Sequence, residues 1–423
     1  MDWLIALLGF SLPFERLGAV SFGGVTGLTI RLSQILVGIL LLIWLIRGVA
    51  GKSIKPKPLF IAWAMAGYLA VGLLSLINAD DWRRGLMVWL FIVVTMLSTV
   101  VIVNVIDTPG RLKLFIKAII AGAIVVCLFG LWQFLGDLAG MLTSLTGLRE
   151  LYTKEVFGFP RIQSTALEPL LFANYLLIPL FLLAGMIISN KFWLGRKWSY
   201  LFLILLLINF ILTLSRGGYL GLAVGGLVLA IICRQRFFQW KSIKPIFIGL
   251  AVVILAGTAF FRWTAFGEKS WDLVSRHFGQ ITEDASVAHR WLTYEKAWDG
   301  FREKPLFGIG LGNFSNYYND GGSSGSGWQT VNNQYLETLT ETGVFGFLFL
   351  FFIFGGALAM GIIALKKTAD KNLKLILAGE LAALAGILVQ YNFFSTLYVI
   401  HIWLLIGLLF ATLNLINKAK IKN

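Results

Sequence analysis

Residues 199–233 read SYLFLILLLINFILTLSRGGYLGLAVGGLVLAIIC, two apolar runs, 199–215 and 217–233, parted by almost nothing but Arg216. Each run approaches the length that crosses the roughly 30 Å of hydrocarbon in a bilayer, and the minimal link predicts a helical hairpin that turns at the membrane face. Similar runs recur along the whole chain, near 31–46, 59–77, 86–106, 113–135, 169–188, 245–261, 343–365, 373–393 and 397–416, with a weaker first segment at 3–14 interrupted by Pro13. The sequence therefore predicts an all-α, polytopic membrane bundle of about twelve transmembrane helices. Composition agrees: of 423 residues, 58% are hydrophobic and only 13% charged, far from a soluble chain. The first segment lacks the basic start and cleavage site of a signal peptide.

The net charge of +15 raises the question of nucleic acid. Most of the basic residues fall in alternate loops, among them Arg47, Lys57, Arg111, Lys113, Arg196, Lys197, Lys366 and Lys367, and in the C-terminal tail. By the positive-inside rule these loops and both termini are cytoplasmic, and the basic excess reports topology rather than nucleic-acid binding. No basic module with interleaved aromatics competes with that reading. Cys127 and Cys233 stand in or beside apolar runs without metal-type spacing, and His277, His289 and His401 form no metal motif, so neither a disulfide framework nor a metal site is expected. No cofactor is expected. The predicted domains are residues 1–261 with helices one to nine, 262–342 as a long extracytoplasmic loop, and 343–423 with the last three helices.

That loop is rich in Trp, Tyr, Gly and Asn. Trp291, Tyr294 and Trp298 fall on one face at helical spacing, predicting a short amphipathic helix over 288–302 that ends at Lys304-Pro305. Gly308-Ile309-Gly310-Leu311-Gly312 reads as a tight turn, Gly321 to Gly327 as a flexible connector, and a second helix is predicted to start near Asn332. The glycine run follows no strand and lacks a nucleotide-binding pattern, so a turn is the better reading.

Several charges invite chemistry. Arg216, in Leu214-Ser215-Arg216-Gly217-Gly218, must lie at or inside the outer membrane face, where an unpaired cation is costly. A snorkelling side chain is one account; its flanking glycines, which let a ligand approach the backbone, favour an anion site. Arg290, beside His289, either covers apolar neighbours or binds, and Arg161 either pairs with Glu168 or joins the others. The three arginines together could clamp a pyrophosphate, whose phosphates need several forked donors. Asp80 and Asp81 before Arg83 and Arg84 suggest an ion-paired loop, and Glu380 suggests a paired acid within a span.

These residues carry a resemblance. Thr29-Ile30-Arg31-Leu32, Leu214-Ser215-Arg216-Gly217-Gly218, Arg290-x3-Tyr294-x2-Ala297-Trp298, Pro305-Leu306-Phe307-Gly308-Ile309-Gly310-x-Gly312-x-Phe314 and Asn333-x-Tyr335-Leu336-x4-Glu341-x-Gly343-x2-Gly346, in this order and topology, resemble the O-antigen ligase and O-antigen polymerase family of bacterial membrane glycosyltransferases. The resemblance implies an enzyme of the bacterial inner membrane that moves a glycan from undecaprenyl pyrophosphate to an acceptor hydroxyl of a glycan or lipid at the outer leaflet, without metal. It implies that Arg216 and Arg290 hold the donor pyrophosphate; Arg161 is added here as a third contact. The family's ligases usually carry a histidine where this chain has Asn332, which can bond a hydroxyl but is no general base near neutral pH. Asn332 is thus expected to position the acceptor in a reaction driven mainly by the leaving group, with Asn333, Tyr335, Glu337, Glu168 and His289 as further acceptor or glycan contacts, and with His289, Glu168 and Glu337 as alternative proton acceptors. A lipid-linked oligosaccharide flippase is the competing reading; it calls for paired repeats and polar residues at the bilayer midplane, which the sequence does not display.

Overall fold

A computed structural model describes residues 1–15, 20–22, 28–51, 56–153, 159–188, 193–234, 285–319, 329–368 and 370–422. The chain is a multi-pass membrane protein. Seven helices are long and apolar enough to cross a bilayer: Leu32–Ala50, Trp82–Val105, Pro109–Leu138, Pro169–Ile188, Gln334–Lys367, Lys371–Gln390 and Ile400–Ala419. Four more of the expected runs are also helical but shorter, at Asp2–Ser11, Ala62–Ser75, Arg196–Leu212 and Arg216–Ile232. The last two have 17 residues each, and at about 1.5 Å per residue each falls a few ångströms short of the hydrocarbon thickness. The count of about twelve spans therefore stands at seven of full length among the described residues. The run at 245–261 and the connector at 321–327 lie outside them.

Pro169–Ile188 and Ile400–Ala419 form the centre of the bundle, with 100% and 89% of their apolar windows buried. Lys371–Gln390 packs against Arg216–Ile232 through small residues: a Cβ at Gly221 would come within 2.7 Å of the Gly386 carbonyl, and one at Gly386 within 2.6 Å of the Gly221 carbonyl. Without a hydrophobic difference between lipid and side chain, such backbone-to-backbone approach is what holds membrane helices together. A polar chain crosses this centre, in which His401 Nε2 meets Asn174 Oδ1 at 2.8 Å and Asn174 Nδ2 donates to Gln390 Oε1 at 2.6 Å. Glu380 accepts from Thr412 Oγ1 at 2.8 Å, a hydrogen bond within the bundle. One departure from pure helix is a two-stranded antiparallel hairpin, Val20–Phe22 with Leu28–Ile30, just before Arg31 caps the Leu32–Ala50 helix.

Beyond the bundle, Ala285–Glu303 is one helix, ending before Lys304-Pro305 as its sequence predicts. The glycine run that follows is a turn with positive φ at Gly308, Gly310 and Gly312 (71°, 107° and 72°), the region only glycine enters without strain. It is fastened to the start of the Gln334–Lys367 helix, since Ile309 N donates to Thr340 O at 3.0 Å and Gly310 N to Glu341 O at 3.1 Å. The carboxylate of Glu341 accepts from Gly312 N at 2.8 Å and Phe314 N at 3.1 Å. Asp81 caps the Trp82–Val105 helix by accepting from Arg84 N at 3.0 Å and acts electrostatically on the Arg84 guanidinium, and its own amide donates to Asn313 Oδ1 at 2.8 Å. The Gln334–Lys367 helix kinks at Gly343, where φ is 67°. It comprises a first segment, 334–342, and the longer apolar segment, 344–367.

A side chain at residue 343 would collide with the Leu306 carbonyl as well as require positive φ. Gly343→Ala is expected to lower stability by roughly 1–2 kcal/mol or more, read from thermal melting in detergent. Gly355→Ala, on the same span and with its nearest neighbour an aromatic carbon at 3.9 Å, is expected to leave melting unchanged.

Candidate functional site

Arg216 owes its place to a reversal of the chain. The Arg196–Leu212 helix ends at Thr213, Leu214 adopts φ +49°, Ser215 takes the N-cap position, and Arg216 is the exposed first residue of the next helix. Gly217 lies flat on Phe393, whose ring and Cβ leave no room for a side chain. Against the same reversal lies the 159–168 loop: Ile162 N donates to Leu212 O at 3.2 Å and Arg161 Nε to Thr213 O at 3.4 Å, with the Arg161 guanidinium 6.0 Å from the Tyr152 ring centre. The loop is anchored below by Gln133, which accepts from Ser164 N at 2.7 Å and donates to Ser164 O at 3.2 Å. Arg161 and the Arg216 turn are thus neighbours.

Arg290 arrives from the other side on the Ala285–Glu303 helix. One turn on, Tyr294 donates its hydroxyl to Asn392 O at 3.3 Å, while Thr293 donates to Arg290 O at 2.8 Å and to Val331 O at 3.3 Å. Glu168 lies within reach of both Arg161 and Arg290. Burial pushes its carboxyl up from the ordinary value and Glu15 pushes further, while the guanidiniums of Arg161, Arg149 and Arg290 oppose them. Three cations from three separate segments therefore lie within electrostatic reach of one carboxyl.

The remaining residues singled out in the sequence separate into different roles. Asn332 adopts φ +58° and bonds Thr330 O through Nδ2 at 3.3 Å. Asn333 caps the following helix, its Oδ1 accepting from Tyr335 N and Leu336 N at 3.1 Å each. The Tyr335 hydroxyl donates to Leu388 O at 2.7 Å, and its ring meets Tyr391 edge-on. Glu337 accepts from Val331 N at 2.9 Å. His289 is exposed and stacks near Tyr318, with ring centres 6.3 Å apart.

The segment the sequence reading passed over is the link from Tyr391 to Val399. Gln334 N donates to Tyr391 O at 2.7 Å, and Gln334 Oε1 accepts from Thr396 N at 2.7 Å and Leu397 N at 2.8 Å. Through Phe393 this link touches the Arg216 turn, and through Asn392 the Arg290 helix. Tyr398 lies within electrostatic range of Glu337, Glu168, Arg31 and Glu15, so it stands between the two sides of the site. Tyr398, Glu337, Glu341, Gln329 and Gln334 help line a cavity offering about 30 Å³ to the centres of water molecules, room for about two waters and not for a sugar ring. Only the short run Asn392 to Thr396 between two apolar stretches could have signalled this link. Among the described residues no cluster of three His, Cys, Asp or Glu side chains could hold a metal ion.

Residues 201–351 match the family model described as O-antigen ligase. That stretch contains Arg216, Arg290, Asn332 and Glu337, whereas Arg161, Glu168 and the 391–399 link lie outside it. No curated protein matches the chain.

Burial raises the carboxyls of both Glu337 and Glu341, and for Glu341 the charge of Glu337 adds to the shift while Arg84 opposes it. A carboxyl whose folded-state pKa lies above its unfolded value, here 4.5, stabilises fully below the unfolded value and loses that contribution as pH rises through the folded one. The melting temperature in detergent is therefore expected to fall as pH rises above about 5, and Glu341→Gln is expected to flatten the fall.

Proposed function

We propose that this chain, which matches the O-antigen ligase family model along residues 201–351, is a glycosyltransferase that moves a glycan from undecaprenyl pyrophosphate to an acceptor hydroxyl at the outer leaflet of the bacterial inner membrane. The observation that carries the reading is that Arg161 and Arg290 both reach Glu168, while the Arg216 turn touches Arg161 and, like the Arg290 helix, the 391–399 link. Such a site suits an anion with two adjacent phosphates and a tail that stays in the lipid.

The acceptor oxygen attacks the anomeric carbon and the bond from that carbon to the pyrophosphate oxygen breaks, so the departing undecaprenyl pyrophosphate gains one negative charge. Guanidiniums fixed before the reaction stabilise that growing charge more than they stabilise the ground state. Arg216, Arg290 and Arg161 act in this way on the leaving group. Asn332, held in the left-handed region beside the Arg290 helix, orients the acceptor by hydrogen bonding, while Asn333 and Tyr335 fix the segment that presents it. The loops between helices that carry the excess Lys and Arg face the cytoplasm, and the site faces away from it.

One feature favours a second reading. The buried His401–Asn174–Gln390 chain is the kind of interior polarity a flippase for lipid-linked glycans would use. Products distinguish the two. With purified protein in proteoliposomes and an undecaprenyl-pyrophosphate glycan, lengthened lipid-linked chains identify a polymerase, transfer to another molecule a ligase, and movement without bond cleavage a flippase. Arg216→Ala and Arg290→Ala are each expected to lower transfer by about 10²–10³-fold, with lysine at either position restoring only part of it because the forked donor geometry is lost. Full activity in both alanine variants would overturn the assignment.

A further inference from the structure

If the acceptor hydroxyl attacks as an alkoxide-like nucleophile, its proton must go to a side chain, and Asn332 has no basic site for it. Four groups stand near enough to be considered. His289 is exposed and lies against Tyr318. Both oxygens of Glu341 already accept backbone amides, those of Gly312 and Phe314. Glu168 is pushed up by burial, but Arg149, Arg161 and Arg290 all lie within electrostatic reach of it, and two of these are assigned to the leaving pyrophosphate, so Glu168 stands on the side of the leaving group rather than of the acceptor.

Glu337 differs from all three. It lies four residues after Asn333, in the first turn of the 334–342 helical segment, where Oε2 accepts from Val331 N at 2.9 Å. The carbonyl of the same Val331 accepts from Thr293, whose hydroxyl also bonds Arg290 O, so two hydrogen bonds tie Glu337 to the helix that carries Arg290. It lines the cavity shared with Tyr398, and its other polar neighbour is the Ser395 hydroxyl. Among the charged and titratable groups around it, Glu341 stands on its own helix, Tyr68 on Ala62–Ser75 and Tyr398 on the 391–399 link, with Glu337 acting electrostatically on each of these three. Its environment is neutral or acidic, which favours the protonated form and gives the carboxylate the basicity that a proton acceptor needs.

We infer that Glu337 is the proton acceptor of the transfer reaction, taking the acceptor hydroxyl's proton by way of a water in the cavity it shares with Tyr398. This inference rests on the glycosyltransferase reading. As the acceptor oxygen forms its bond to the anomeric carbon, the proton passes through that water to the Glu337 carboxylate, and the electron pair of the breaking bond leaves with undecaprenyl pyrophosphate. The carboxylic acid so formed returns its proton to solvent before the next turnover.

The test is the pH dependence of kcat for the full-length protein in proteoliposomes with an undecaprenyl-pyrophosphate glycan, comparing wild type, Glu337→Gln and Glu337→Asp. Glutamine keeps an oxygen for the Val331 amide. It is expected to lower kcat by about 10²–10⁴-fold, to abolish the rise of rate with pH and to leave donor binding unchanged. Aspartate is expected to retain part of the rate with the rising limb displaced along the pH axis. A Glu337→Gln enzyme with the wild-type rate and pH profile overturns the inference. Should Glu337→Gln melt early, an unshifted limb in Glu337→Asp overturns it instead. If the wild-type protein forms no glycosidic bond, the functional reading itself fails, an outcome distinct from a working enzyme indifferent to residue 337.

Discussion

The site depends on the clasp that Gln334 makes with the link between the last two helices. Its amide donates to Tyr391 O and its side-chain oxygen accepts from Thr396 N and Leu397 N, all at 2.7–2.8 Å. Gln334 is buried, so backbone groups left unpaired there would each cost about 1–3 kcal/mol. The clasp fixes the N-terminal end of the Gln334–Lys367 helix to a link that the Arg216 turn and the Arg290 helix also touch. A bilayer makes such a device necessary. Irregular backbone survives near the hydrocarbon only where protein satisfies its hydrogen bonds.

Electrostatics then does what packing alone does not. Glu168 lies within electrostatic reach of Arg149, Arg161 and Arg290, whose charges oppose the rise that burial imposes on its carboxyl. Glu337 and Glu341 lie close together elsewhere, Glu341 binding the glycine turn and Glu337 facing the small cavity, with the charge of Glu337 raising the Glu341 carboxyl and Arg84 opposing it. On the proposed function the arginine side serves an anionic leaving group and the Glu337 side a proton.

Much of the scaffold was legible in the sequence because it depends on local signals. Apolar runs gave helices, Lys304-Pro305 ended one, and Gly308, Gly310 and Gly312 formed a turn because each takes a positive φ. Contacts between distant segments were not legible. Nothing local says that Gln334 will hold residues 391–397, or that Asn174, Gln390 and His401 will meet inside the bundle, because each partner lies on another helix or loop. The Val20–Phe22 and Leu28–Ile30 hairpin was missed since three-residue strands carry too little alternation to register. Seven of the expected spans are of full length among the described residues, and some others are shortened because the structure places part of their apolar length in caps and turns, such as Thr213 to Ser215.

On the proposed function, the clasp of Gln334 assembles Arg161, Arg290 and the Arg216 turn into one pyrophosphate site. The most direct measurement is the affinity of the purified protein in nanodiscs for undecaprenyl pyrophosphate, compared between wild type and Gln334→Ala, which alters none of the arginines. The account predicts at least about a tenfold weakening, equivalent to roughly 1.4 kcal/mol, in a variant that still melts cooperatively. Unchanged affinity would contradict it.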